Sequence, residues 1–282
     1  MSLLTLNFES QYMGGNQNVN ILLPNQPKNQ DCPTFYSSKK EYKVLWLLHG
    51  TFGDYSDWVR KTNIERYVES KNLIVVMPGI GNADYRNWPT FTIGLDAEKY
   101  IVNELMPLVH NWLPASNKRE NNFIAGLSMG GKGALSFALK YPHLFSKAAI
   151  LSFIPYDMDS QADYFYTIYN SNLNELINND NEWHAKQRLY NCMHNLGSVD
   201  NYLNSDYNLL KKLRECDKTT IPKLLFTCGT EDSLFKDKIN PFKDFIKGIN
   251  LDTQIKLGPG DHEWKVWDRD IQIALDFFLN EI

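Results

Sequence analysis

The chain opens on two short alternating runs, Leu3 to Glu9 and Val19 to Leu23, with Gly14-Gly15-Asn16 between them. Alternation broken by glycines predicts an antiparallel pair. Residues 25 to 42 are polar, carry Pro27 and Pro33, and read as a loop. The pattern then changes. Val44 to Leu48 and Leu73 to Met77 are unbroken apolar runs, the second stopped by Pro78-Gly79. Strands buried on both faces require such runs. Further strands are expected at Phe123 to Ala125, Ala148 to Leu151, Leu224 to Thr227 and Thr253 to Leu257.

Helical spacing appears between these runs. Helices are expected at Ile64 to Ser70, Lys132 to Lys140 and Ile239 to Lys247. From Leu95 to Leu113, the positions Ile101, Leu105, Leu108, Val109 and Trp112 fall on one face, and Pro107 inside the pattern implies a kink or a late start. Trp267, Ile271, Ala274, Leu275 and Phe278 mark an amphipathic C-terminal helix. Strand and helix alternate, which predicts an α/β fold: a mostly parallel sheet with helices on both faces. Between about 153 and 218 no apolar strand occurs, and aromatics such as Tyr156, Phe165, Tyr169 and Tyr190 take over. This stretch reads as an inserted helical cap within a single domain spanning 1–282.

Composition narrows the function classes. Apolar residues make up 43% and charged residues 22%, with a net charge of −4 and no basic tract. Nucleic acid is not the expected partner. No apolar run is long enough to cross a bilayer, and the N-terminus lacks the basic and apolar regions of a secretory signal. Cysteines at 32, 192, 216 and 228 form no CxxC pair and read as reduced thiols of a cytoplasmic protein. Cys192 and His194 supply too few ligands for a metal site, and none is assigned.

The chemistry concentrates at Gly126-Leu127-Ser128-Met129-Gly130. A GxSxG pattern arises by chance in about one chain in ten of this length, so its surroundings must decide. A strand precedes it and a helix follows. In that context the glycines permit a turn so tight that Ser128 projects from the sheet, and the Met129 N–H faces a developing oxyanion. A serine hydroxyl needs a base to take its proton. His262, in the glycine-rich loop before the last helix, is placed for that role. An acid after a late strand would orient the histidine. Asp232 is the choice, with Glu231 in reserve, and Asp261 reads as a turn former. The loop after Leu48 begins His49-Gly50, which makes the Thr51 N–H the second oxyanion donor, with Phe52 as alternative. His49 reads as structural. Phe52, Trp88 and Tyr156 are candidate pocket walls.

Six stretches, "LLHGTFGDYSDWVRKTNIERYV", "NLIVVMP", "FIAGLSMGGKGAL", "YPHLFSKAAILS", "CGTEDSLF" and "GDHEWKVWD", together resemble the bacterial tributyrin esterases of the esterase D-like family. Those are α/β-hydrolases related to S-formylglutathione hydrolases, feruloyl esterases and the antigen 85 mycolyltransferases. The resemblance covers roughly residues 3 to 280. It implies the α/β-hydrolase fold, a Ser128-Asp232-His262 triad, oxyanion donors at Thr51 and Met129, no cofactor, and hydrolysis of small-molecule short-chain acyl esters. It also implies a homo-oligomer and a structural role for Trp58. Phe52 stands where the family has smaller residues, which would narrow the pocket. An acyltransferase, or a carbohydrate acetyl or feruloyl esterase, on the same triad is the alternative, with an inactive binding module behind it.

Overall fold

A computed structural model describes residues 1–90, 94–178 and 183–280. Eight strands form one sheet: β1 (Ser2–Ser10), β2 (Gly15–Leu23), β3 (Lys43–Leu48), β4 (Leu73–Pro78), β5 (Asn122–Leu127), β6 (Lys147–Leu151), β7 (Lys223–Gly229) and β8 (Thr253–Gly258). Their spatial order is β1-β2-β4-β3-β5-β6-β7-β8. β1 and β2 pair antiparallel, and β2 runs antiparallel to β4. All pairings from β4 through β8 are parallel. The sheet is mostly parallel, as the apolar runs require.

Alternation along each parallel strand feeds two cores. In β3, Val44, Trp46 and Leu48 face one side, and Leu45 and Leu47 face the other. The first side is covered by Met129–Lys140, by Ala97–Trp112, and by the helices between β6 and β7. The second is covered by Trp264–Leu279 and the short helices Asp57–Lys61 and Ile64–Val68. A strand with both faces buried has no solvent side to mark with polar residues, which is why β3 and β4 read as unbroken apolar runs.

Two segments differ from the sequence reading. The loop 25–42 contains a one-turn helix, Cys32–Tyr36, whose start is fixed by Asp31 accepting the Thr34 N–H at 2.9 Å, with Pro33 in the first turn. Pro107 does not delay the start of the helical segment. Helical backbone runs from Ala97 to Trp112, with a π-helical segment, Tyr100–Leu105, just before the proline. Proline lacks an N–H and its ring crowds the carbonyl four residues back; a wider turn there accommodates both defects.

Between β6 and β7 the chain forms Ala162–Tyr169, Leu173–Asn178, Trp183–Leu196, Val199–Asn204 and Leu209–Glu215. Residues 179–182 of that stretch lie outside the described residues. No helix among the described residues is long and apolar enough to cross a membrane.

Candidate active site

Parallel strands place their C-terminal ends on one edge of the sheet, and the loops leaving that edge meet there. Ser128 follows β5, Asp232 follows β7 and His262 follows β8. The loops after β3 and β4 supply Thr51 and the residues from Asn82 to Arg86.

Ser128 sits at the start of Met129–Lys140 with φ +53° and ψ −114°. A side chain costs about 1–3 kcal/mol in such backbone. The turn is held because the Ser128 N–H donates to Leu151 O at 2.8 Å and Lys132 N–H donates to Ser128 O at 2.9 Å. Its flanking glycines are sterically required. A Cβ on Gly130 would lie 2.5 Å from His49 O and 2.6 Å from Leu48 O, and one on Gly126 would strike the Gly130 backbone.

The three predicted residues meet in one chain of hydrogen bonds. His262 Nε2 lies 2.9 Å from Ser128 Oγ, and its Nδ1 lies 2.9 Å from Asp232 Oδ2. Asp232 is fully buried. Burial pushes its carboxyl up, but the His262 hydrogen bond and charge, with the Leu234 and Phe235 N–H groups, hold it below the ordinary carboxylate range. An ionised carboxylate only accepts, so Nδ1 carries the imidazole proton and the Nε2 lone pair faces the serine hydroxyl. Glu231 is exposed and instead accepts the Gly260 N–H and the Thr230 hydroxyl. Asp261 Oδ1 accepts the N–H groups of His262 and Ser233, both at 2.7 Å, so it braces the histidine loop against the acid loop.

Of the two oxyanion-donor candidates after β3, Phe52 is committed elsewhere: its N–H donates to Asn82 Oδ1 at 2.8 Å. The Thr51 and Met129 N–H groups take no such partner among the hydrogen bonds of the described residues. His49 is buried and structural. Its Nδ1 lies 2.7 Å from Gly50 O, and its Nε2 accepts the Ile80 N–H at 3.2 Å. Burial holds it below the ordinary imidazole value and so neutral. Trp58 is buried and donates to Leu48 O at 3.0 Å.

Two cavities flank Ser128. One, of about 340 Å³, is lined by Thr51, Met129, Lys132, Tyr156, Arg188 and Lys238 among others. The other, of about 440 Å³, is lined by Thr51, Phe52, Arg188, His262, Trp264 and Trp267 among others. Tyr156 lines the first and Phe52 the second. Trp88, with its indole N–H on Ala83 O at 2.8 Å, lines an adjoining depression of about 220 Å³ that Phe52 and Arg188 also border. Phe52 projects at 69% exposure against the His184 ring, so it stands at a rim rather than inside a slot.

Sequence reasoning missed Asn82 and a buried charge cluster. Asp84 Oδ2 accepts from Arg86 Nε and Lys132 Nζ, both at 3.0 Å. Arg86 also lies over the Tyr207 ring, 3.1 Å from its centroid. Burial raises the Asp84 carboxyl, but Arg86, Lys132 and Arg188 outweigh it and keep the group below the carboxylate range. The signal was the polar stretch Asn82 to Asn87 directly past a buried parallel strand, since ligands of such sheets bind beyond the strands' C-terminal ends.

A family described as "Putative esterase" matches residues 10–278, and the chain belongs to it. It is 29% identical to an acetyl esterase of Caldicellulosiruptor saccharolyticus, covering 98% of both chains. It resembles the crystal structure of an S-formylglutathione hydrolase, FrmB, of Staphylococcus aureus at 31% identity and a TM-score of 0.74, covering 99% of each chain. It also resembles FphF, a fluorophosphonate-binding serine hydrolase of the same organism, at 32% identity and a TM-score of 0.73, again over 99% of each chain. The fold is that of the α/β-hydrolase-like esterases, and the chain is a carboxylic ester hydrolase of the serine type.

Proposed function

We propose that Ser128, His262 and Asp232 are the catalytic triad and that the enzyme hydrolyses short-chain acyl esters through an acyl-enzyme. The observation that carries this reading is the Ser128–His262–Asp232 chain, with both links at 2.9 Å. His262 Nε2 takes the hydroxyl proton as Ser128 Oγ bonds to the ester carbonyl carbon. The carbonyl oxygen becomes an oxyanion held by the Thr51 and Met129 N–H groups. The C–O bond to the alcohol then breaks, and the alcohol leaves with the proton from Nε2. Water repeats the sequence: His262 takes its proton, the acyl–serine bond breaks, the acid departs and Ser128 recovers its proton.

His262 must hand its proton to the departing alcohol. The alcohol therefore belongs in the cavity that His262 lines, and the acyl group in the one lined by Met129 and Tyr156. The acetyl esterase relative supports a small acyl group. The wide alcohol-side cavity favours one second reading, transfer of the acyl group to a sugar or other alcohol acceptor. An intact triad geometry speaks against an inactive binding module. A cytoplasmic location, in keeping with four free cysteines, is part of the same reading.

Hydrolysis of p-nitrophenyl esters from acetate to octanoate tests this. Turnover should be greatest among the short chains, and Ser128→Ala should lower kcat by about 10⁴-fold or more. Folded protein inactive on every ester would refute the reading. Product ratios with added alcohol separate hydrolysis from transfer.

A further inference from the structure

The acyl-side cavity is far more positive than the chain that surrounds it. The protein carries a net charge of −4, yet Lys132, Arg188 and Lys238 all line this cavity, and Asp84 is the one carboxylate among its described lining residues. Asp84 is already engaged by the buried Arg86 and by Lys132, both at 3.0 Å. With Arg86 counted, four cations stand against that one carboxylate, between walls that include Phe153, Tyr156 and Leu189. We propose that the site selects esters whose acyl group ends in a second, ionised carboxylate, that is, hemiesters of short dicarboxylic acids. The proposal rests on the triad reading and on the placement of the alcohol beside His262.

Arg188 and Lys238 have capacity to receive such a carboxylate. Arg188 spends Nη2 on Thr51 Oγ1 at 3.2 Å, which fixes the guanidinium beside the oxyanion loop; its planar fork has further donors. Lys238 donates to Leu234 O at 2.8 Å and lies 5.0 Å from the Tyr156 ring centroid, and an ammonium has three donors. Burial pulls Lys132 and Lys238 below the ordinary ammonium value. A neutral acyl chain would displace the water that solvates these cations and give nothing in return, whereas a carboxylate replaces that water with charge-assisted hydrogen bonds. The apolar walls meanwhile hold the methylene chain. A cleft lined by one sign of charge between low-dielectric walls also concentrates the opposite ion from solution.

The experiment compares kcat/KM for mono-p-nitrophenyl glutarate with p-nitrophenyl valerate, and for the adipate hemiester with the hexanoate, after subtracting spontaneous hydrolysis. Each charged ester should be favoured by at least about tenfold. The ratio should shrink as salt is raised, and in Arg188→Gln and Lys238→Gln. Both esters are read on the same sample, so a partly folded variant does not distort the ratio. In a parallel arm, 4-acetoxybenzoate against phenyl acetate puts the charge on the alcohol side. A ratio of one or less in the acyl arm overturns the proposal, as does a preference confined to the alcohol arm. Neutral esters turned over with no charge preference overturn the proposal alone. No turnover of any ester overturns the esterase reading and the proposal with it.

Discussion

The backbone N–H of Phe52 donates to the side-chain oxygen of Asn82 at 2.8 Å. Phe52 is held at φ +61°, in backbone that an ordinary side chain occupies only when its surroundings impose it. The bond joins the loop after β3 to the loop after β4 and sets the direction of the neighbouring Thr51 N–H. Asn82→Ala should therefore lower kcat about tenfold to a hundredfold while KM changes less, a fraction of the 10²–10³ that losing a whole oxyanion donor costs. Steady-state kinetics on a neutral p-nitrophenyl ester decide it. Unchanged kcat would remove Asn82 from the positioning of that loop.

Gly130 allows the elbow to lie against the backbone of β3. Its missing side chain leaves room for His49 O and Leu48 O, which a Cβ would approach at 2.5 and 2.6 Å. Backbone cannot move aside as a flexible side chain can. Gly130→Ala should shift the elbow and lower kcat at least about 10²-fold, since small displacements of reacting groups are that costly. Gly248→Ala, where nothing lies within 4 Å of the added Cβ, is the control and should retain wild-type turnover.

Much of this site is legible in the amino-acid sequence, and the reason is physical. Ser128 and Asp232 each sit just past a buried apolar run, the strongest signal a parallel sheet leaves in sequence, whereas His262 follows the half-exposed, alternating edge strand β8. The β7 and β8 loops can be located because their strands can. Asp232 can be preferred to Glu231 only by position, and burial is what separates them: one carboxylate lies under the imidazole and the other in solvent. Asp84, Arg86 and Lys132 are not legible as a group. They come from two different elements, and no periodicity links residues brought together only by tertiary packing. Which cavity Trp88 borders is not legible for a related reason. An aromatic residue near a loop carries no mark of which cavity it borders, and its indole is anchored to Ala83 O. The π-helical turn before Pro107 shows a local conflict settled by tertiary packing, with Tyr100, Ile101 and Leu105 all buried.

Asp84 holds Arg86 and Lys132 inside the protein. Removing it leaves the buried Arg86 and the half-buried Lys132 without their anion. Breaking a buried ion pair from one side costs about 3–5 kcal/mol, so Asp84→Ala should lose stability of that order in urea unfolding. A loss under about 1 kcal/mol would mean that the cluster is far better solvated than its burial indicates.

Two imidazoles should make stability fall on mild acidification. Burial holds both His49 and His110 below the ordinary value of 6.5. Below that pH the unfolded chain binds protons that the folded chain refuses, so stability is full above about 6.5 and declines as pH falls toward the depressed folded values. Each imidazole contributes a slope of at most about 1.4 kcal/mol per pH unit. His49→Gln should flatten the curve between pH about 6.5 and 5 without abolishing it. The carboxyls of Asp84 and Asp232, held below the ordinary 3.8, add a separate loss at lower pH, as pH falls through their depressed folded values. A flat wild-type curve between pH about 7.5 and 5 would contradict neutral imidazoles at the buried His49 and the half-buried His110.

Ser128 as the one residue that receives the acyl group is the claim on which the chemistry stands. A fluorophosphonate reagent reacts with a serine only where a base activates it and an oxyanion site receives the phosphoryl oxygen. Intact-mass analysis of the treated protein, followed by peptide mapping, should find one adduct per chain, carried by Ser128, with esterase activity lost in step. His262→Ala should label far more slowly. An adduct on another residue, or full ester turnover by protein that takes up no label, would contradict a nucleophile at Ser128.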